Sequence, residues 1–93
     1  MRETIRMDGI FDAAARGDAS TVRALVKLGG ANANATDALG RTPVWIAARG
    51  GHTETVRALV ACGADVSTGN RDGDTPVSIA AKNGCMETVR ARR

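Results

Sequence analysis

The fold is decided by the stretch Thr42-Pro43-Val44-Trp45-Ile46-Ala47-Ala48-Arg49-Gly50-Gly51-His52, which continues as Thr53-Glu54-Thr55-Val56-Arg57-Ala58-Leu59-Val60-Ala61-Cys62-Gly63-Ala64. This stretch predicts two short helices, the second starting at about residue 53, with a tight turn between them. Thr42 suits the N-cap of the first helix, and Pro43 suits its first position because no N–H is needed there. Gly51 and Gly63 predict the helix ends, since glycine readily adopts the left-handed conformation that closes a helix.

Apolar residues mark the buried side of each predicted helix. In the first helix these are Val44, Ala47 and Ala48, which recur at helical spacing. Helices shorter than roughly 12–15 residues are marginal alone in water, so this pair must be stabilised by a neighbour stacked against it. The corresponding apolar residues of the second helix are Val56, Leu59 and Val60.

The same pattern recurs along the chain at a nearly fixed spacing. Residues 42–60 moved forward by 33 fall on residues 75–93, and 12 of the 19 positions are identical. Residues 47–60 moved back by 34 fall on residues 13–26, where nine positions are identical. Three copies of a unit of about 33 residues therefore account for nearly the whole chain, which is the signature of a solenoid array.

These copies resemble the ankyrin repeat, whose pattern runs Asp-x-x-Gly-x-Thr-Pro-Leu-His-x-Ala-Ala-x-x-Gly-His and then Val-x-x-Leu-Leu-x-x-Gly-Ala-Asp. The middle copy matches this pattern from Asp37 to Asp65, with Val for Leu at positions 44 and 60. Trp45 replaces the first histidine of the pattern, whereas His52 keeps the second. In the family this second histidine hydrogen-bonds loop backbone, so the resemblance implies a structural role for His52.

The outer copies depart further from the ankyrin pattern. The third copy matches from Asn70 to Val89, with Ser78 and Cys85 in place of the two histidines. The first copy lacks Thr-Pro and is recognisable from Ala13 onward. The resemblance implies an all-α ankyrin-repeat solenoid of stacked helix-turn-helix units joined by β-hairpin loops. We expect one domain over residues 1–93, and the repeats are expected at about 4–36, 37–69 and 70–93.

The two ends of the array carry charges where the middle copy is apolar. Asp12 aligns with Ile46, so the first copy is interpreted as an N-terminal capping repeat with a polar outer face. In the third copy Arg92 and Arg93 stand where the middle copy has Leu59 and Val60. The third copy is therefore either a charged C-terminal cap or an array that has been cut short, and in both cases we expect it to be the least stable.

Composition excludes several classes of protein. No run of the sequence approaches the 18 apolar residues of a membrane span, and residues 1–7 lack the apolar stretch of a secretory signal, which favours a cytoplasmic or nuclear location. A net charge of +3 is mild. Much of the excess lies at Arg90, Arg92 and Arg93, which we interpret as a solvated helix end rather than a nucleic-acid patch.

Catalytic and metal-binding patterns are missing from the sequence. His52 is the sole histidine, which excludes most catalytic triads and histidine-rich metal sites. The paired glycines carry neither of the two common phosphate-binding patterns, so no nucleotide site is indicated. Cys62 and Cys85 occupy different repeat positions and are expected to stay unpaired thiols. The sequence thus predicts a protein that is not an enzyme and that uses no cofactor or metal.

The positions at which the copies differ are candidates for partner binding. The resemblance implies that another protein binds a concave face made of hairpin tips and first helices. From the mild charge and the lack of an apolar span we expect neither nucleic acid nor a membrane as a partner. We expect a monomer. Trp45 is interpreted equally well as cover for the neighbouring helix or as an aromatic anchor for the partner. An alternative is that the chain is a fragment or targeting segment of a larger protein whose activity lies elsewhere. The candidate partner-binding residues are Leu39, Arg41, Trp45, Arg49, Arg71, Asp72, Asp74, Ser78 and Lys82.

Overall fold

The computed structural model describes residues 9–82, which fold into helices joined by short turns. The expectations about Cys85 and about the charged chain end at Arg90, Arg92 and Arg93 lie outside the described residues. None of the described helices is long and apolar enough to cross a membrane. The helices are α1 (Gly9–Arg16), α2 (Ala19–Lys27), α3 (Pro43–Arg49), α4 (Thr53–Ala61) and α5 (Pro76–Lys82).

Local sequence signals determine where α3 and α4 begin and end. The Thr42 hydroxyl accepts a hydrogen bond from the Trp45 N–H at 3.2 Å, and Pro43 occupies the first position of α3. The chain then reverses at Gly51, whose φ of 75° lies in the left-handed region. The predicted N-cap, the closing glycine and the start of α4 at Thr53 are therefore confirmed.

The helices pack in two layers. In the first layer α3 packs against α1 on one side and α5 on the other. Helices α2 and α4 pack against each other and form a second layer behind them. The side chains of Val22, Val44 and Leu59 are completely buried between the layers. Completely buried alanines, such as Ala13 and Ala47, allow the helix axes to approach closely. The core is aliphatic, as predicted, with Trp45 as its largest aromatic member.

Hydrogen bonds link the α1/α2 pair to the α3/α4 pair. The Nε2 atom of His52 donates to the carbonyl of Ala15 at the end of α1 over 3.1 Å, which confirms the structural role expected for this histidine. Asn34, which follows α2, donates from Nδ2 to the Gly63 carbonyl at 3.1 Å. Its Oδ1 atom accepts from the Asp65 N–H at 2.7 Å. These bonds fix the spacing between the two helix pairs.

Further hydrogen bonds link α3 and its preceding turn to the next unit. The indole Nε1 of Trp45 donates to the Asp74 carbonyl at 2.9 Å. The Arg71 N–H donates to the Leu39 carbonyl at 3.0 Å. This second bond joins the tips of neighbouring turns directly, so the two turns are held side by side.

The connections expected as β-hairpins contain no strand within residues 9–82. In the first turn the Gly40 N–H donates to the Asp37 carbonyl, and the Asp37 N–H donates to the Arg41 carbonyl, both at 3.0 Å. In the second turn the corresponding bond runs from the Asn70 N–H to the Asp74 carbonyl at 2.9 Å. Each turn is therefore closed by its own hydrogen bonds, and the pairing stops there because a helix begins within two residues.

The hydroxyl of Thr55 is buried without a hydrogen-bond partner in the described part of the chain. Its counterpart in the first copy, Thr21, donates from Oγ1 to Asp18 Oδ2 at 2.7 Å. In the middle copy the position of Asp18 is taken by His52, which makes no side-chain cap bond to α4. The residue that links the two helix pairs has thus replaced the acceptor that this threonine would use.

Thr55→Val is expected to raise the free energy of unfolding by about 1–2 kcal/mol, because it replaces an unsatisfied buried hydroxyl with a methyl group of the same size. Chemical denaturation monitored by circular dichroism measures this change. Thr21→Val is the matched control, and it should lower stability because it breaks the bond to Asp18. A destabilised Thr55→Val variant would mean that the hydroxyl has a partner.

Candidate functional site

Eight of the nine candidate partner-binding residues lie on the turns between the helices and on α3 and α5, and the ninth, Trp45, lies beneath them. We call the surface made by the eight the turn face. Leu39, Arg71 and Asp72 lie at the tips of the two turns and are exposed. The remaining members are Arg41, Arg49, Asp74, Ser78 and Lys82.

The turn tips present their side chains to solvent. Leu39 is 53% exposed although it is a large apolar residue. The side chains of Arg71 and Asp72 make no hydrogen bond or ion pair with other residues in the range 9–82. The structural hydrogen bonds of the turns are made instead by Asp37 and Asn70. The tip side chains are therefore available for contacts outside the chain.

Trp45 does not present its ring at the surface. The residue is 3% exposed, and its indole N–H is satisfied by the Asp74 carbonyl. The guanidinium groups of Arg41 and Arg49 lie over the ring, with their Cζ atoms 5.7 and 5.5 Å from its centroid. Such placement is a cation–π arrangement, which holds both arginines against the indole. Of the two interpretations of Trp45, burial favours packing against the next unit over an exposed anchor.

Asp37 organises the first turn. Its Oδ1 atom accepts the N–H groups of Leu39 and Arg41, both at 2.9 Å, and its Oδ2 atom accepts from Arg41 Nε at 2.7 Å. Partial burial by itself raises the pKa of Asp37. The hydrogen bonds from the Arg41 backbone, the Arg41 guanidinium and the Leu39 backbone outweigh that effect and hold the pKa below its ordinary value. The ionised carboxylate is therefore the form that shapes the turn.

The depressed pKa of Asp37 makes the stability of the turn depend on pH. Its contribution is fully present above the pKa of the unfolded chain, about 3.9, and is lost as pH falls through the lower folded pKa. Asp37→Asn should flatten this acid limb of the stability curve while keeping the turn. Asn70 provides the precedent, since its Oδ1 accepts two backbone N–H groups at 2.9 and 3.0 Å in the second turn. Unfolding measured between pH 2 and pH 6 tests this, and an identical acid limb in the variant would contradict it.

Two of the candidate residues on α5 have partners within the chain. Lys82 Nζ donates to Asp74 Oδ1 at 2.8 Å, and this bond together with the charge of Asp74 raises the pKa of Lys82. The Ser78 hydroxyl accepts from the Thr75 N–H at 2.8 Å and donates to the Thr75 carbonyl at 3.0 Å. The Thr75 hydroxyl accepts in return from the Ser78 N–H at 3.3 Å. Ser78 therefore helps to start α5, a role that the sequence analysis did not assign to it.

An open groove of about 400 Å³ runs between α1 and α3 beside the first turn. Arg41 and Arg49, on its walls, were predicted as site residues from the sequence, whereas the contribution of α1 was not. The signal for it exists, because the shift of 34 that aligns the first two copies places Phe11 on Trp45 and Ala15 on Arg49. We call this cavity the α1–α3 groove. Its lining residues are Phe11, Asp12, Ala15, Asp37, Arg41, Ile46 and Arg49.

Asp12 lies on the rim of the α1–α3 groove and is exposed. It forms an ion pair with Arg16, one helical turn further along α1. The other carboxylate of the groove, Asp37, accepts hydrogen bonds from the Arg41 side chain and from backbone N–H groups. Both carboxylates of the groove are therefore paired within the chain.

The part of the chain that the structure describes contains no candidate metal-binding group and has one free thiol. Within residues 9–82 no three His, Cys, Asp or Glu side chains come together in a group that could hold a metal ion. Cys62 is a free thiol, half-buried at the end of α4. The arrangement offers hydrogen-bond donors, charges and apolar surface to a ligand.

Comparison with known proteins agrees with the repeats seen in the sequence and with the helices of the structure. The profile described as "Ankyrin repeats (3 copies)" matches residues 10–91. The chain is also 33% identical over 66 residues to Ankyrin repeat domain-containing protein 29 from Danio rerio. That alignment covers 71% of this chain and 22% of the relative, so the chain spans about a fifth of the relative's length. This chain belongs to the ankyrin-repeat family.

Proposed function

We propose that this protein binds another protein through the turn face, and that its activity is binding rather than catalysis. Ankyrin repeats are generally protein-interaction modules, and the family match covers almost the whole chain. In this proposal the helix pairs form a short solenoid whose concave side carries the turns and α1, α3 and α5.

The observation that carries the proposal is the exposed Leu39 on a rigid turn. Asp37 fixes the turn from within, and the Leu39 carbonyl accepts from Arg71 in the neighbouring turn. Because the Leu39 N–H and carbonyl are already hydrogen-bonded, the turn loses little backbone freedom when a partner covers the leucine. A pre-organised turn of this kind presents an apolar side chain at a low backbone-entropy cost.

The charges around Leu39 indicate the character of the partner's surface. Arg71 and Lys82 contribute positive charge to the turn face, while Asp72 and Asp74 contribute negative charge. The mixture of signs suits a partner surface that also carries both signs, and we expect only a moderate dependence of affinity on salt. A uniformly basic partner would meet repulsion from Arg71 and Lys82, and a uniformly acidic partner from Asp72 and Asp74.

The proposal is tested by capturing a partner from cells and measuring its affinity for purified variants. Leu39→Ala and Arg71→Ala should each weaken binding about tenfold, which corresponds to about 1.4 kcal/mol. Arg57→Ala is the matched control, because Arg57 lies exposed on α4 and makes only a 3.5 Å contact with Glu54. Loss of affinity in Arg57→Ala with none in the two turn variants would overturn the assignment.

A further inference from the structure

The guanidinium of Arg41 is held in place while its outer donors are left without acceptors. Its Nε atom is bonded to Asp37, and its Cζ atom lies 5.7 Å from the centroid of the Trp45 ring. The guanidinium is ion-paired with Asp37 through Nε, and within the described residues the Nη atoms of Arg41 make no hydrogen bond. The side chain is 26% exposed. An arginine fixed in this way presents a fork of N–H donors that matches a carboxylate.

The surroundings of Arg41 define what else an occupant must supply. Phe11, Ala15 and Ile46 give the α1–α3 groove an apolar floor, and Arg49 adds a second guanidinium against the same indole. An occupant that fills the groove therefore needs an apolar side chain for the floor. It also needs hydrogen-bond acceptors for the donors of the wall.

The pairing of the groove carboxylates decides the sign of the occupant's charge. Asp12 is paired with Arg16 and Asp37 with Arg41, so a basic side chain would find no unsatisfied carboxylate. The wall residues Asp12, Asp37, Arg41 and Arg49 together carry no net charge. A carboxylate, with a single charge, suits such a wall better than a phosphoryl group, which carries about −1.5 to −2 at neutral pH.

We propose that the α1–α3 groove binds a partner segment in which an aspartate or glutamate lies next to a large apolar side chain. The carboxylate is held by the Nη atoms of Arg41 beside Arg49, and the apolar side chain rests on Phe11 and Ile46. This inference rests on the proposed function, which it deepens by naming the chemistry of the partner. It places the acidic group of the partner beside the turn that carries Leu39, two residues further along the chain.

The probe is a short capped peptide of alternating leucine and glutamate, compared with the same peptide carrying glutamine in place of glutamate. Trp45 is the sole tryptophan of the chain and contacts both arginines, so its fluorescence reports occupancy of the groove. Calorimetric titration at low ionic strength gives the affinities independently. We expect the glutamate peptide to bind about tenfold or more tightly than the glutamine peptide.

Variants of the protein assign that difference to the groove. Arg41→Gln should reduce the affinity for the glutamate peptide about tenfold and leave the glutamine peptide unchanged, whereas Arg57→Gln on α4 should alter neither. Because Arg41→Gln also removes the bond to Asp37, Arg49→Gln serves as a second variant that leaves this bond intact. Equal binding of the two peptides, no detectable binding, or an undiminished preference in both arginine variants would overturn the inference.

The outcomes separate this inference from the proposed function. If a captured partner loses affinity for Leu39→Ala while the peptides show no preference for glutamate, the turn face stands and the groove inference fails. If the peptides require Arg41 but a captured partner responds to neither Leu39→Ala nor Arg71→Ala, the groove inference stands and the turn face fails.

Discussion

Trp45→Ala is expected to lower the free energy of unfolding by about 3–5 kcal/mol. The ring is almost completely buried, and it packs between α3 and the segment that precedes α5. Its removal leaves a cavity and takes away one of the two hydrogen bonds to the Asp74 carbonyl, which still accepts from the Asn70 N–H. It also takes away the surface on which Arg41 and Arg49 rest. A domain of this size has only about 5–15 kcal/mol of stability, so the variant should be close to unfolding.

The matched variant Trp45→Phe separates packing from hydrogen bonding. Phenylalanine keeps most of the buried apolar area and loses the Nε1 donor, so the expected loss is smaller, about 1–2 kcal/mol. Urea denaturation of the two variants beside the unaltered protein measures both effects. If Trp45→Ala unfolds at the same urea concentration as the unaltered protein, the ring does not stabilise the fold and must be reconsidered as a surface anchor.

Gly17→Ala should be nearly as damaging, with an expected loss of about 2–4 kcal/mol in the free energy of unfolding. Gly17 joins α1 to α2 at a φ of 73°, a left-handed conformation that costs an alanine about 1–2 kcal/mol. A Cβ atom at this position would also lie 2.4 Å from His52 Nδ1. The imidazole would have to move, and its hydrogen bond to the Ala15 carbonyl would be lost.

Two comparisons identify the source of that loss. Gly30→Ala has nearly the same φ, 72°, but its Cβ atom would meet nothing within 4 Å, so it should show the conformational cost alone. In the background of His52→Ala, Gly17→Ala should cost no more than Gly30→Ala does, because the clash is absent. Equal losses for Gly17→Ala and Gly30→Ala in the unaltered background would show that the imidazole yields without cost.

The positions of the helices were predictable because their signals are local. Thr42 and Pro43 determine how α3 starts through groups within one helical turn, and Gly51 closes the chain reversal by its own conformation. The stacking could be predicted because one unit recurs three times. The β-hairpins were not found as strands, because the repeat pattern specifies the reversal of the chain and not how far the backbone pairing extends from it.

The site was harder to predict because it depends on contacts between units. Trp45 differs from its counterparts in the other copies, and variation alone does not reveal that its N–H is satisfied by the next unit. Ser78 varies at the same repeat position, yet its hydroxyl serves the start of α5. Phe11 was missed because the first copy was recognised only from Ala13 onward, although the alignment extends back to it.

The hydrogen bonds described between neighbouring units share one property, which is that each of them has a main-chain atom on at least one side. His52 and Trp45 reach carbonyl oxygens, Asn34 contacts a carbonyl and an N–H, and Arg71 joins Leu39 through backbone alone. Every peptide unit offers these atoms whatever its side chain. The middle copy could therefore be duplicated in tandem, in evolution or by protein engineering, and the inserted unit would find acceptors already in place on the copy beside it.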